Sequence, residues 1–304
     1  MTHMLPAISV VIPTYNRAPV LRLCLDALAA QDYAGPWQVI VVDDGSTDET
    51  PDVMSAFPGF VYLQQENRGP AAARNRGIQE AKGEIIAFTD DDCLAPADWL
   101  SRLTDGYDRY PQVAGVGGYL EAPEQILREN RFAQLERSVG RDEYGAGNEE
   151  IVGGFECPAG GTNNMSYRRE ALLDIGGFDE TFPFAAGEDA DLKLRICHQG
   201  ASLLYIPVKM IHLQPYTRAA FRRQYLVRGR GVVHFERKHL GRPPTLMRVL
   251  LRLGKRALWL VYDLVAGPNR HLAFIRFAAR WYDGIGQWQE TRRLRRERQA
   301  DADD

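Results

Sequence analysis

Four short apolar runs, at residues 8–12, 39–42, 60–63 and 85–88, are spaced so that a helix-length stretch fits between each pair of neighbours. Runs of four or five residues with no polar alternation suit strands covered on both faces. The stretches between them carry helical spacing, as in Leu21, Leu25 and Leu28 behind Pro19, with further helices expected at 47–57 and 74–82. Strand, helix, strand at this rhythm builds βαβ units and an α/β fold whose sheet is mainly parallel and flanked by helices.

In such a sheet a ligand sits beyond the carboxyl ends of the strands. Three of the four runs end there in polar loops: Pro13 to Asn16, Asp43 with Asp44, and Asp90, Asp91 and Asp92. The last is the sharpest, because the buried run at 85–88 breaks directly into three adjacent carboxylates. Crowded carboxylates at the mouth of a buried strand must be solvated or must hold a cation. A solvated helix start is the plain alternative, since Asp98 and Trp99 open the next helix, but three polar strand ends on one edge favour a binding crevice. No GxGxxG or GxxxxGK[ST] loop is present to cradle phosphates, so a diphosphate held here needs a hard divalent cation on carboxylate ligands.

Beyond residue 110 the pattern predicts a strand at 113–120, a helix at 132–139 and a mobile Gly- and Glu-rich loop at 144–154. Two strands at 201–206 and 208–211, broken by Pro207, lead to His212. A second acidic element, GEDADL at 187–192, follows a small and polar segment, Gly160-Gly161 and Asn163-Asn164, where backbone can approach a sugar closely. Acid residues also favour a helix's first turn, so this element reads equally as a helix start. Arg195 stands one turn beyond Asp191 as a partner for it.

The ordered set ISVVIPTYNR, VIVVDDGSTDET, NRGPAAARNRGI, GEIIAFTDDD, GGTNNMSYRREALLDIGGFDE and GEDADLKLR resembles the family 2 glycosyltransferases, which have the GT-A fold. The resemblance covers roughly residues 7–235. It implies inverting transfer of a sugar from a nucleotide diphosphate sugar, a UDP-sugar first with GDP and dTDP left open, to a glycan or lipid-linked acceptor in polysaccharide or cell-envelope assembly, assisted by Mg2+ or Mn2+. By that likeness Pro13, Tyr15 and Asp44 line the nucleoside pocket, with Asp44 accepting a hydrogen bond from the base. Asp43 reads as a pocket residue or as the cap of the next helix. Arg74 faces the nucleotide, where a planar guanidinium suits phosphate, and its plain alternative is an exposed helix arginine. Asp90 and Asp92 match the family's DxD element, with Asp91 between them on the nucleotide-sugar side. The metal ligands implied are Asp92, Asp90 and His212. Asp189 matches the catalytic base. Gly161, Asn163, Glu188 and Asp191 fall on the acceptor side, the last two supporting either the acceptor or the fold.

Charge divides the chain. Residues 1–210 hold 17 Lys and Arg against 32 Asp and Glu, a net of −15, while residues 211–304 hold 20 against 8, a net of +12. Arg248, Arg252, Lys255 and Arg256 lie on one helical face, with Leu250, Leu253, Ala257 and Leu260 on or near the other and Trp259 and Tyr262 between. This is the pattern of a basic amphipathic helix on an anionic membrane surface, or of a helix packed on its own acidic body. Nucleic acid is disfavoured as a partner, because no recognition motif accompanies the charge. Domain bounds follow: 1–236 for the glycosyltransferase part, divided at about 110 into nucleotide and acceptor halves, and 237–304 for a helical extension.

Four cysteines with no CxxC pair, no apolar run near the ~20 residues a spanning helix needs, and no signal-like N-terminus predict a cytoplasmic protein, and the basic tail allows, without requiring, a peripheral place at the inner face of the cell membrane. Two rival functions fit the same sheet. A nucleotidyltransferase would carry a glycine- and basic-rich triphosphate loop after the first strand, which PTYNR does not supply. A non-catalytic nucleotide-sugar-binding or scaffold module would have lost one acidic element, and both are present.

Overall fold

The computed structural model describes residues 4–143, 145–241, 243–265, 267 and 269–303. The described chain forms two compact units. The first holds residues up to 123 together with 139–180 and 189–214, and the second holds 124–138, 181–188 and 215 onward.

The first unit is built on a nine-stranded sheet. Its elements in order are β1 (Ile8–Thr14), α1 (Ala18–Ala29), β2 (Trp37–Asp43), α2 (Thr50–Ser55), β3 (Val61–Gln64), α3 (Pro70–Glu80), β4 (Ile85–Phe88), β5 (Cys93–Leu94), α4 (Trp99–Arg109) and β6 (Val113–Glu121). After α5 (Glu124–Glu129) and α6 (Arg131–Ser138), which belong to the second unit, come β7 (Ile151–Gly153), β8 (Met165–Arg168), α7 (Arg169–Asp174), α8 (Glu188–His198) and β9 (Ser202–His212). The strand order is β3-β2-β1-β4-β8-β6-β9-β5, with β7 added to β9.

The N-terminal strands follow the βαβ expectation. β2 pairs parallel with β1 and β3, and β4 pairs parallel with β1 on its other side. Their residues alternate between two apolar layers: Val10, Ile12, Val39 and Val41 pack with Leu21, Leu25 and Trp99, whereas Val11, Ile40, Val42 and Phe88 pack with Tyr167 and Leu192. α3 lies tight against β1, since a Cβ at Gly77 would sit 2.3 Å from a Val11 methyl. It starts at Pro70, earlier than expected, because Gly69 takes a left-handed φ of 87° and the proline suits the first turn. α2 is correspondingly shorter than the expected 47–57.

Elsewhere the sheet is mixed. β8 runs antiparallel between β4 and β6. Its sequence, MSYR, alternates instead of forming an apolar run: Met165 and Tyr167 enter a core, and Ser166 donates to the Val116 carbonyl. Pro207 does not break the strand that contains it. β9 passes through it, because the pairing to β6 shifts between Gly117↔Tyr205 and Tyr119↔Lys209, an irregularity that absorbs a residue without an N–H. Within the expected loop at 144–154, β7 pairs with β9; Tyr144 lies outside the described residues.

The second unit is helical. α9 (Arg218–His239), α10 (Leu246–Val265) and α11 (Ala273–Asp303) follow one another, the last two joined through a 3-10 turn at Arg270–Leu272. The expected boundary at 236/237 falls inside α9. α9 and α11 meet backbone to backbone: a Cβ at Gly229 would lie 2.0 Å from the Asp283 carbonyl oxygen, and one at Gly286 would lie 2.1 Å from that of Leu226. Phe221 anchors the same unit, with Phe132 at 4.8 Å and Tyr225 at 4.8 Å between ring centroids. The basic side chains of α10 divide. Arg252 turns inward to Gln287 at 3.0 Å and Glu236 at 2.7 Å, and Arg256 pairs with Asp283, while Arg248 and Lys255 are exposed. The four cations do share one face, but partly buried carboxylates on α9 and α11 engage two of them, so only Arg248 and Lys255 are presented to solvent. The side chain of Ala257 lies outside the described residues.

Candidate active site

The carboxyl ends of β1, β2 and β4 converge as the strand pattern requires. β1 and β2 end in register, Thr14 opposite Asp43. β4 stops at Phe88, and the acidic turn folds back over the end of β1, where the Thr14 hydroxyl donates to Asp91 at 2.8 Å. Arg17 spans the turn, giving one guanidinium nitrogen to Asp91 at 2.8 Å and another to Asp92 at 2.7 Å. Asp90 faces the other way and pairs with Arg74 at 2.8 Å. Arg74 is buried and lies over the Phe178 ring, so it is not an exposed helix arginine.

The three neighbouring carboxylates occupy different electrostatic environments. Burial pushes Asp91 up to about 7, against the pull of Arg17 and Thr14. Burial would also raise Asp92, but His212 and Arg17 outweigh it and hold the group well below the ordinary carboxylate range. The ladder between β5 and β9 sets this contact. Cys93 pairs with His212, and His212 Nε2 comes to rest 3.4 Å from Asp92 Oδ2.

Of the three expected metal ligands, Asp92 and His212 are therefore together, with the Cys93 thiol as the third nearby group, while Asp90 is engaged by Arg74. Cys93 is a poor candidate for a hard cation, because burial and the adjacent Asp90 and Asp92 hold its thiol protonated. A carboxylate oxygen and an imidazole nitrogen at this separation match neighbouring ligands of a divalent ion, which stand about 3 Å apart when each is ~2.1 Å from the metal. Asp90, Asp91, Asp92 and Asp189 outnumber the guanidinium groups of Arg17 and Arg74 by two. The residues present thus fit Mg2+ or Mn2+.

Asp189 stands apart from the turn, in the first turn of α8. Its oxygens accept from the Thr162 amide at 3.2 Å and the Thr162 hydroxyl at 3.0 Å. Burial raises its pKa, Arg74 opposes the rise, and Asp90 adds to it. A fixed, partly buried carboxylate with increased proton affinity has the properties of a general base.

Pro13 pairs with Val42 inside β1, and Tyr15 is 47% exposed beside it. The two loops here are laced together: Asn16, at a left-handed φ of 51°, receives a bond from the Thr47 amide at 2.7 Å, and its own amide donates to Ser46 at 2.9 Å. Asp44 accepts from Gln65, the Arg68 amide and the Gly69 amide at 2.8–2.9 Å, shaping the turn that enters α3. Asp43 is buried and accepts from the Ser46 amide and the Tyr62 hydroxyl. Gly161 is exposed, and Asn163 is partly buried with its carbonyl accepting from Thr89 at 3.3 Å. Asp191 is fully buried and paired with Arg195 at 2.8 Å, which also donates to the Ile175 and Gly177 carbonyls. Glu188 is buried and falls with the second unit.

Sequence reasoning missed Arg17, Thr14 and Thr162. Arg17 was findable: it stands in the loop after β1, and three carboxylates at a neighbouring strand end need a cation.

The sequence model of glycosyl transferase family 2 matches residues 9–176. A glucosyl-dolichyl phosphate glucuronosyltransferase of Haloferax volcanii is 31% identical over 182 residues, covering 57% of this chain and 56% of the relative. An N-acetylglucosaminyltransferase of Azorhizobium caulinodans is 31% identical over 240 residues, covering 71% and 58%. The chain spans between about a third and three fifths of the length of such relatives. Among solved structures, the mannosyltransferase PcManGT of Pyrobaculum calidifontis, in complex with GDP-Man and Mn2+, superposes with a TM-score of 0.58 at 25% identity, covering 91% of this chain and 75% of that one. Residues 1–349 of S. aureus TarS give a TM-score of 0.51 at 18% identity, covering 96% and 92%, a likeness of fold. The α/β sheet with its helical extension is the GT-A type of architecture.

Proposed function

The chain belongs to glycosyl transferase family 2, and from that premise we propose that it moves a sugar from a nucleotide diphosphate sugar to a glycan or lipid-linked acceptor with inversion at the anomeric carbon. One arrangement supports the proposal: Asp92 and His212 stand 3.4 Å apart at the acidic turn, while a separate carboxylate, Asp189, is held by Thr162 with raised proton affinity.

The donor lies across the ends of β1, β2 and β4. Pro13, Tyr15, Asp43 and Asp44 frame the nucleoside, and Asp90 and Asp91 with Arg74 face the sugar diphosphate. Asp92 and His212 would hold the divalent ion, and Asp90, turned toward Arg74, would have to leave that pair to join them. When bound, Mg2+ or Mn2+ neutralises charge on the departing diphosphate. Arg17, 40% exposed, occupies the carboxylates that would take the ion, and when the donor binds it would turn from Asp92 toward phosphate. Asp189 takes the proton from the acceptor hydroxyl as that oxygen bonds to the anomeric carbon and the sugar–diphosphate bond breaks on the opposite face. Gly161 and Asn163 give the acceptor close access, with buried Asp191, through Arg195, supporting that side.

UDP is the nucleotide expected, and GDP is its competitor because the structural neighbour is described with GDP-Man and Mn2+. The dolichyl phosphate in one relative's name supports a lipid-linked acceptor. The test is incubation with Mn2+, a panel of UDP- and GDP-sugars, and polyprenyl-phosphate-linked sugars. Release of nucleoside diphosphate with an inverted linkage is the expected result. Release of pyrophosphate would favour nucleotidyl transfer, and neither turnover nor nucleotide binding would favour a non-catalytic module.

A further inference from the structure

α10 is folded with its polarity reversed. Its inward side, facing the other helices of the helical unit, carries Arg252, Arg256 and Asp263 along with Val249, Leu253 and Leu260. The charges are engaged there: Arg252 with Glu236 and Gln287, Arg256 with Asp283, and Asp263 with Arg280 at 2.9 Å. The outward side is apolar. Met247, Leu250, Leu251, Leu258, Val261 and Val265 are each between 53% and 71% exposed. At 100° per residue they fall within one continuous arc of about 100°. Phe274, 68% exposed at the start of α11, belongs to the same unit.

A helix that turns ion pairs inward and leucines outward is arranged for a nonpolar surrounding. We propose that the exposed face of α10 inserts into the interfacial layer of an anionic lipid bilayer, lying along it without crossing. Three features of the rim select lipid over a second copy of the chain. Arg248 and Lys255, both exposed, border the apolar arc. The sole carboxylate of α10, Asp263, is buried and paired, so the outward side presents positive charge alone. Tyr262, half exposed, borders the apolar arc where an amphipathic ring meets headgroups, and half-exposed Trp259 meets it edge to face, 5.5 Å between ring centroids, on the far side of Arg248 and Lys255. A self-complementary dimer through this face would meet a partner bearing the same cations and none of the carboxylates to pair them. Among the described residues no helix is long and apolar enough to cross a membrane, which agrees with a helix that lies in the surface. The inference stands apart from the transfer chemistry, because none of these residues belongs to the catalytic site.

The test is flotation of the full chain with vesicles of phosphatidylglycerol and phosphatidylethanolamine, alongside vesicles of phosphatidylcholine alone. The protein should float with the anionic vesicles and much less with the neutral ones, and Trp259 emission should shift blue, a shift that Trp259→Phe removes. Leu251→Glu with Leu258→Glu should abolish flotation while far-UV circular dichroism and Mn2+-dependent nucleotide binding stay as in the parent. Arg248→Glu with Lys255→Glu should reduce anionic flotation at least tenfold. A parent protein that stays at the bottom of the gradient would overturn the proposal. So would a dimer in gel filtration that the double leucine variant converts to monomer, since the face would then belong to a second copy. Loss of nucleotide binding with flotation intact would count against the catalytic reading and leave this one standing.

Discussion

The two units of this protein bury charge in contrasting ways. At the strand ends of the sheet unit three carboxylates gather around two guanidinium groups, with Asp189 apart on α8, and the proton affinities are driven apart: Asp91 upward to about 7, Asp92 downward, Asp189 upward. In the helical unit Arg252, Arg256 and Arg280 meet Glu236, Asp283 and Asp263 in matched pairs that join helix to helix. The matched set accounts for itself as architecture. The unmatched set leaves negative charge in partly desolvated space, which makes sense when a cation and a diphosphate arrive to complete it.

That contrast can be broken at several points. The largest effect is expected at Asp189. Asp189→Asn should lower sugar transfer by about a thousandfold or more, in the range of a lost general base, while nucleotide binding survives. The same substitution should not destabilise the fold at neutral pH. A carboxyl whose folded pKa lies above its unfolded value favours the native state when protonated, and that contribution is lost as pH rises through the folded value. The variant should therefore melt at the same or a higher temperature than the parent at pH 8, with the difference vanishing below the unfolded carboxyl range. Activity of the parent should fall with acid through a limb displaced upward from the ordinary aspartate range.

Next comes Arg256→Ala, which strands the Asp283 carboxylate. A loss of about 1–2 kcal/mol in chemical unfolding is expected, as for a partly buried charge-assisted hydrogen bond, with the donor site unaltered. A smaller effect is expected at Arg17. Arg17→Ala removes the cation that competes for Asp92, so Mn2+ should bind roughly tenfold more tightly in the absence of donor, read by titration calorimetry. Weaker Mn2+ binding would mean that Arg17 organises the ligands instead of competing for them. The smallest effect is expected at Leu258→Glu. On the exposed face of α10 it should change unfolding stability by less than about 0.5 kcal/mol, because Leu258 is 71% exposed.

Much of the sheet was legible because parallel strands buried on both faces write continuous apolar runs, and β1, β2, β3 and β4 all stand where those runs predict. β8 was hidden because it alternates, and the passage of β9 through Pro207 depended on an irregular pairing with β6 that local sequence does not encode. The acidic turn was visible from composition alone. Its partners were not, since Arg17 reaches Asp91 and Asp92 across 74 and 75 residues of chain. Likewise, the helical spacing of α10 showed two faces, but which face turned inward was decided by Glu236 and Asp283 on other helices.

The account rests on the strand ends as a metal-dependent donor site, and calorimetric titration of UDP and GDP into the full chain, with and without Mn2+, tests it most directly when repeated on Asp92→Ala. The account predicts nucleotide binding that requires Mn2+ in the parent and is lost in the variant. Binding of equal strength without metal, or binding that Asp92→Ala leaves intact, would contradict it.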